Sequence, residues 1–319
     1  MSFKNIVLAG GGVLGSQIAY QSAYCGFDVT IYLRSEESVV RAKQKVDRLH
    51  NIYLAELEDF KSKLGNPIAI RMFGKGLYPN PENLTVEKID ELKGNAVKAY
   101  ENIKYVTDLA EAVKDADLVI EAMSENPQAK IEFYEKLAGV LPEKTVIATN
   151  SSSMLPSAFA QYTGRPEKYL ALHFANNIWR GNTAEVMGHA GTEQKYYDAV
   201  AEFAGQIQMV PLLMKKEQPG YILNSMLIPF LRSAETLLAR EVADPQTIDL
   251  TWKIGTGAPK GPFEILDIVG LTTAYHIIMN SPDASDPATD NGKIAAILKK
   301  YIDEGKTGIN AGEGFYKYN

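Results

Sequence analysis

The stretch Asn5-Ile6-Val7-Leu8-Ala9-Gly10-Gly11-Gly12-Val13-Leu14-Gly15-Ser16-Gln17-Ile18-Ala19 decides the fold. A short apolar run, a glycine-rich turn and the start of a helical period follow one another in the order strand, turn, helix. In that order the glycines have separate tasks. Gly10 permits the tight turn, Gly12 lets the backbone approach a pyrophosphate, and Gly15 allows the helix to pack closely on the sheet. The helix start at Val13 and Leu14 presents free N–H groups to an anion. A dinucleotide is therefore the expected ligand of Gly10, Gly12, Val13, Leu14 and Gly15.

Outward from this unit the first half of the chain alternates short apolar runs with helical periods. Runs at 5–9, 29–33, 118–122, 145–149 and 169–174 are too short and too apolar for solvated helices, and read as buried parallel strands. A further strand is expected at 209–213. The implied class is α/β, a Rossmann-type doubly wound, mostly parallel sheet. Between the second strand and Asp117 lies a Glu/Lys-rich helical pattern at 36–64, then Gly65-Asn66-Pro67, then a helix near 85–92, read as an insertion without a sheet element. After residue 216 the pattern turns helical, at 219–240, 245–254, 264–279 and 293–304. The expected domains are thus 1–216, which binds the dinucleotide, and 217–319, smaller and all-α.

Composition narrows the partners. The formal charge is −6 and no Lys/Arg-rich run occurs, which argues against nucleic acid or an anionic membrane as partner. No apolar run approaches the roughly 20 residues of a spanning helix. Cys25 is the only cysteine, so no internal disulfide forms and a reducing compartment is expected. A strand pattern within a few residues of Met1 leaves no room for a secretory leader, which points to a cytoplasmic protein acting on a small molecule. No metal site is expected.

The second strand of a dinucleotide fold usually ends in a carboxylate that accepts from the adenosine ribose hydroxyls. Here it ends Tyr32-Leu33-Arg34-Ser35. Arg34 and Ser35 suit the 2′-phosphate of NADP, whereas Glu36 or Glu37 reaching the ribose suits NAD. Both cofactors stay open.

Hydride exchange with an alcohol needs a group that moves the hydroxyl proton, and histidine titrates in the right range. Of the four histidines only His173 ends a sheet strand, where open parallel sheets bind their ligands. His50 lies in the helical insertion, His189 among Gly and Ala, and His276 in mid-helix. Twelve residues after His173, Thr183-Ala184-Glu185-Val186 reads as a return strand that sets the Glu185 carboxylate beside the imidazole. Asn150-Ser151-Ser152-Ser153 follows another strand end, with one serine expected to cap a helix from Met154. Asn224 lies in the helix after Pro219-Gly220.

With these residues in view, the chain resembles the L-3-hydroxyacyl-CoA dehydrogenase family over nearly its whole length. Further landmarks are Asp117-Leu118-Val119-Ile120-Glu121-Ala122, Glu125-Asn126, Gly261-Pro262-Phe263-Glu264-Ile265-Leu266-Asp267 and Gly312-Glu313-Gly314-Phe315-Tyr316. The resemblance implies His173, Glu185, Ser152 and Asn224 as catalytic residues, and Glu125, Lys130 and Asn176 at the nicotinamide half of the cofactor. It also implies a homodimer through the helical domain and a place in fatty-acid or butanoate metabolism. The chain departs from the family at Leu33, where an aspartate is usual, and at Asn177, where a proline is usual. The helix that in this family helps to bind coenzyme A carries Glu56, Glu58 and Asp59 here. The segments 172–179 and 183–188 are similar to a diketoreductase branch that acts on free keto esters.

The expected reaction is hydride transfer between NAD or NADP and C3 of a 3-hydroxyacyl-CoA. The alternatives are reduction of a free β-keto or diketo ester, oxidation of a free 3-hydroxy acid, and a non-catalytic nucleotide-binding role.

Overall fold

The computed structural model describes residues 2–318, so the expected domain ends at Met1 and Asn319 lie outside the described residues. Two compact units, Met1–Tyr221 and Ile222–Asn319, make up the chain. The division falls after Tyr221 rather than after Lys216.

The first unit runs β1 (Asn5–Ala9), α1 (Val13–Tyr24), β2 (Asp28–Tyr32), α2 (Glu36–Lys61), α3 (Pro67–Met72), α4 (Val86–Asn102), β3 (Lys104–Val106) and α5 (Leu109–Val113). It continues with β4 (Leu118–Glu121), α6 (Pro127–Ala138), β5 (Val146–Thr149), β6 (Tyr169–Phe174), β7 (Thr183–Met187), α7 (Gln194–Gln206) and β8 (Val210–Met214). All eight strands form one sheet in the order β3-β2-β1-β4-β5-β6-β7-β8. Only β6 and β7 pair antiparallel. The α/β class and the mostly parallel sheet are as expected.

Strict alternation along the central strands sends side chains to two separate cores. Leu170, Leu172 and Phe174 of β6 join Ile6 and Leu8 of β1 and Leu118 and Ile120 of β4 on one face. Tyr169 joins Val7 and Val119 on the other. Helix α2 buries Val39, Ala42, Val46, Leu49, Tyr53, Leu57 and Phe60 at helical spacing and turns its Glu and Lys residues outward. Each of the larger apolar side chains contributes about 1.5–3 kcal/mol on burial, which anchors α2 to the core despite its polar composition.

Three expectations need correction. The stretch between β2 and Asp117 does contain a sheet element, since β3 pairs in parallel with β2. It is three residues long, begins at an exposed lysine and lies at the sheet edge, so it carries almost no apolar periodicity. No helix starts at Met154, where 3₁₀ turns at Pro156–Ala158, Ala160–Thr163 and Pro166–Lys168 carry the chain instead. The helix expected over 264–279 is two helices, broken at Gly270, whose φ of 93° no α-helix accommodates.

The second unit is helical: α8 (Tyr221–Ala239, beginning on the last residue of the first unit), α9 (Pro245–Thr256), α10 (Pro262–Val269), α11 (Leu271–Met279) and α12 (Asp290–Asp303). Two buried aspartates organise it. Asp249 accepts from the backbone N–H groups of Phe263 and Glu264 and from Tyr316 Oη. Asp267 accepts from the N–H groups of Phe315 and Tyr316 and from Tyr318 Oη, which ties the terminal Gly-Glu-Gly-Phe-Tyr segment to α10. Among the described residues no helix is long and apolar enough to cross a membrane.

Candidate active site

His173 and Glu185 are register partners across the antiparallel β6–β7 pair, so their side chains share one face of the sheet. Both are nearly sealed, at 5% and 3% exposure. Imidazole Nδ1 lies 2.9 Å from Glu185 Oε2. A carboxylate there holds the proton on Nδ1 and leaves Nε2 as the nitrogen that can take or give a proton. Nε2 is 3.2 Å from Oγ of Ser152, and Ser152 is exposed. The imidazole is therefore buried on its Glu185 side and reaches the surface at the serine.

The serine loop is held from two sides. Glu125 accepts from Ser151 Oγ at 2.6 Å, from the Ser152 N–H at 2.7 Å and from Ser153 Oγ at 3.4 Å. Asn150 Oδ1 accepts the N–H of Phe174, joining the end of β5 to the end of β6. Ser151 performs a turn-closing task, its Oγ accepting from the Met154 N–H, although no helix follows.

Tyr221, which no sequence pattern singles out, stacks its ring on His173 with centroids 4.3 Å apart and planes at 14°. Its hydroxyl donates to the Ser151 carbonyl at 2.7 Å. Burial first, then the charges of Glu125, Glu185 and Glu121, push its phenol above the ordinary tyrosine range, so it remains a neutral donor. The only sequence signal was the Pro219-Gly220 pair in front of it. Gly220 has φ 77° and Tyr221 itself φ 55°, a turn that presents the ring.

A second buried carboxylate lies at the end of β4. Glu121 accepts from Lys130 Nζ at 2.6 Å, the Met123 N–H at 2.8 Å, Tyr134 Oη at 2.9 Å and Thr149 Oγ1 at 2.7 Å. Lys130, which the family resemblance assigned to the nicotinamide half, is 1% exposed and has its ammonium group in this pair. Asn176 is exposed in the loop after β6. Its neighbour Asn177 has φ 60° and donates its N–H to Gln17 Oε1 at 2.8 Å, two things a proline cannot do. Asn224 lies half-buried in α8, within the second unit.

After β1, beside the end of β4, the glycine turn has the shape a dinucleotide requires. Gly10 has φ 118°, and a Cβ on it would fall 2.6 Å from the Ala122 carbonyl oxygen. A Cβ on Gly15 would fall 2.3 Å from the Gly10 oxygen, whereas one on Gly12 would meet nothing within 4 Å. Gly12 thus faces open space, Val13 beside it is 62% exposed, and Leu14 is half-buried in the first turn of α1. Gly10, Gly11 and Gly12 line a cavity of about 410 Å³ together with Leu33 and Arg34. Ser35 caps α2, accepting from the Ser38 N–H, which accounts for its hydroxyl locally.

Two other histidines have structural partners, His50 with Tyr20 Oη and His189 with the Pro166 carbonyl. Among the described residues no group of His, Cys, Asp and Glu is arranged to hold a metal ion.

Residues 82–218 match the family described as 3-hydroxyacyl-CoA dehydrogenase, NAD binding domain, and residues 220–318 match the C-terminal domain of the same family. The human mitochondrial hydroxyacyl-coenzyme A dehydrogenase is 31% identical over 99% of this chain and 91% of its own length. A solved diketoreductase, described as acting on dicarbonyl compounds, is 47% identical with a TM-score of 0.83, both chains being covered completely. The (S)-3-hydroxybutyryl-CoA dehydrogenase of Ralstonia eutropha, 24% identical with a TM-score of 0.73 and both chains covered completely, has the same fold.

Proposed function

This chain belongs to the 3-hydroxyacyl-CoA dehydrogenase family, oxidoreductases acting on CH–OH groups, and from that premise we propose that it interconverts a 3-hydroxyacyl substrate and its 3-keto form. The observation that carries the reading is the line Glu185–His173–Ser152, with contacts of 2.9 and 3.2 Å. When bound on the Gly10–Gly15 turn, NAD or NADP supplies the hydride exchange. His173 Nε2 takes the hydroxyl proton in oxidation and returns it in reduction. Glu185 fixes the tautomer and offsets the charge of the imidazolium, an interaction strengthened by the sealed surroundings. Ser152 donates to the C3 oxygen, held in place through Glu125, while the stacked Tyr221 fixes the plane of the imidazole.

For the substrate, the acyl-CoA thioester is the family's choice. A second reading, a free β-keto or diketo ester, has two observations in its favour. The diketoreductase is 47% identical, and residues 50–60 of α2 carry three carboxylates and no lysine or arginine. Of those carboxylates, Glu56 pairs with Arg180, Glu58 with Lys93 and Asp59 with Lys63, leaving a poor surface for the phosphates of coenzyme A. Initial rates with acetoacetyl-CoA, free acetoacetate and a β-keto ester separate the two. Turnover of the thioester alone supports the first reading, turnover of the ester alone the second, and turnover of neither removes the proposal.

The same reading includes pairing of two copies through the helical unit, where Met226, Leu250 and Ile254 are 62%, 55% and 75% exposed. Light scattering is expected to give the mass of a dimer, and a monomer at micromolar protein removes this part.

A further inference from the structure

The adenosine end of the cleft departs from what NAD requires. Leu33 occupies the position at the end of β2 where a carboxylate would accept from the ribose hydroxyls, and it is 5% exposed. It is packed inward: a Cβ on Gly11 would fall 2.8 Å from Leu33 Cδ2 and 2.7 Å from Ala42 Cβ. The next carboxylates in the chain are engaged elsewhere. Glu36 accepts from Thr107 Oγ1 at 3.4 Å. Glu37 is engaged by the Ser35 hydroxyl, whose hydrogen bond holds its carboxyl below the usual range. Neither lines the cavity beside the glycine turn.

The charged side chains that line it are all basic. Arg34, Arg41 and Lys45 border the cavity together with the Ser38 hydroxyl, and no carboxylate does. Arg41 lies one turn of α2 after Ser38 and Lys45 one turn after that, so both fall on the face that α2 turns toward Arg34. Arg41 Nη2 donates to Ser38 Oγ at 2.9 Å, and Lys45 Nζ donates to the Arg41 carbonyl at 3.2 Å, which gathers the group. Among the described residues none of the three cations forms an ion pair within 4.0 Å. Three cations without an ion-pair partner and a hydroxyl border one cavity, a surface that attracts an anion, and guanidinium groups suit a phosphate through paired hydrogen bonds.

We infer that Arg34, Ser38, Arg41 and Lys45 form a subsite for the 2′-phosphate of NADP(H), which makes this chain an NADP(H)-preferring member of its family. The inference rests on the dinucleotide reading of the glycine turn and adds the choice between the two dinucleotides. Near neutral pH the 2′-phosphate carries close to two negative charges, as a phosphate monoester with a second pKa of about 6. The same cations give NAD(H) nothing comparable, because its ribose hydroxyls need an acceptor and Leu33 supplies none.

The test is binding rather than turnover. Isothermal titration of the wild-type protein with NADPH and NADH is expected to show NADPH tighter by at least about tenfold, with the preference shrinking as salt rises. Adenosine 2′,5′-bisphosphate is expected to bind more tightly than AMP, which isolates the phosphate from the nicotinamide. In Arg34→Ala and Arg41→Ala, whose side chains are exposed, the ratio of the two dissociation constants is expected to fall toward one, with unchanged melting midpoints showing intact folding. Equal or tighter binding of NADH to the wild type, or an unaltered ratio in both variants, overturns the subsite and leaves the dinucleotide reading standing. Failure of both dinucleotides to bind overturns the subsite and the dinucleotide reading together.

Discussion

Glu121 on β4 and Glu185 on β7 are both buried carboxylates of one sheet, yet they are held in different ways. Glu121 accepts from an ammonium group, a backbone N–H and two hydroxyls, so its charge is matched by a lysine fixed beside it. Glu185 faces an imidazole, a partner whose charge can change during a reaction. Removing half of a buried permanent pair strands an ion in a low-dielectric interior, whereas a carboxylate beside a histidine acts by altering how readily that histidine takes a proton. Equal burial therefore says little about purpose; the chemistry of the partner does.

Three substitutions can break or sharpen this contrast. His173→Gln should have the largest effect, lowering the catalytic rate by about 10²–10⁴-fold while dinucleotide binding, followed by titration, is retained. Persistent turnover in that variant would remove the proton-transfer assignment. The other two apply one change at two places. Glu121→Gln leaves Lys130 charged and unmatched, and should cost about 3–5 kcal/mol, lowering the thermal midpoint by roughly 10 °C. Glu185→Gln should have the smallest effect, about 10–100-fold in rate, and should act on the rate more than on the midpoint. If Glu121→Gln left the midpoint unmoved and lost activity in step with Glu185→Gln, the two carboxylates would belong to one functional network and the contrast would fail.

The sequence revealed these two residues unequally, for a physical reason. His173 could be read because it ends a strand, and Glu185 because a return of twelve residues brings a second strand alongside; both signals are local. Glu121 also ends an apolar run, but its side-chain partners lie 9, 13 and 28 residues away, on α6 and β5, and no periodicity announces them. Tyr221 was hidden in the same way, since its ring meets an imidazole 48 positions earlier in the chain, across a turn that only its positive φ reveals. The doubly wound sheet was legible from its buried strands and glycine turn. The edge strand β3 and the break at Gly270 were not, because three residues carry no pattern and one glycine within an apolar helical stretch looks like any other helix residue. At the adenosine end Arg34 was visible after the second strand, but Ser38, Arg41 and Lys45 joined it only once α2 was folded against the cavity.

The antiparallel register of β6 and β7 has a consequence for anyone who makes this protein. Side chains alternate across a strand, so a slip of one position would keep most of the hydrogen-bond ladder and send Glu185 to the opposite face from His173. Such a molecule would have nearly native secondary structure and no working imidazole. Specific activity after refolding thus counts molecules whose strands settled in step, which makes turnover a more sensitive gauge of folding quality than circular dichroism.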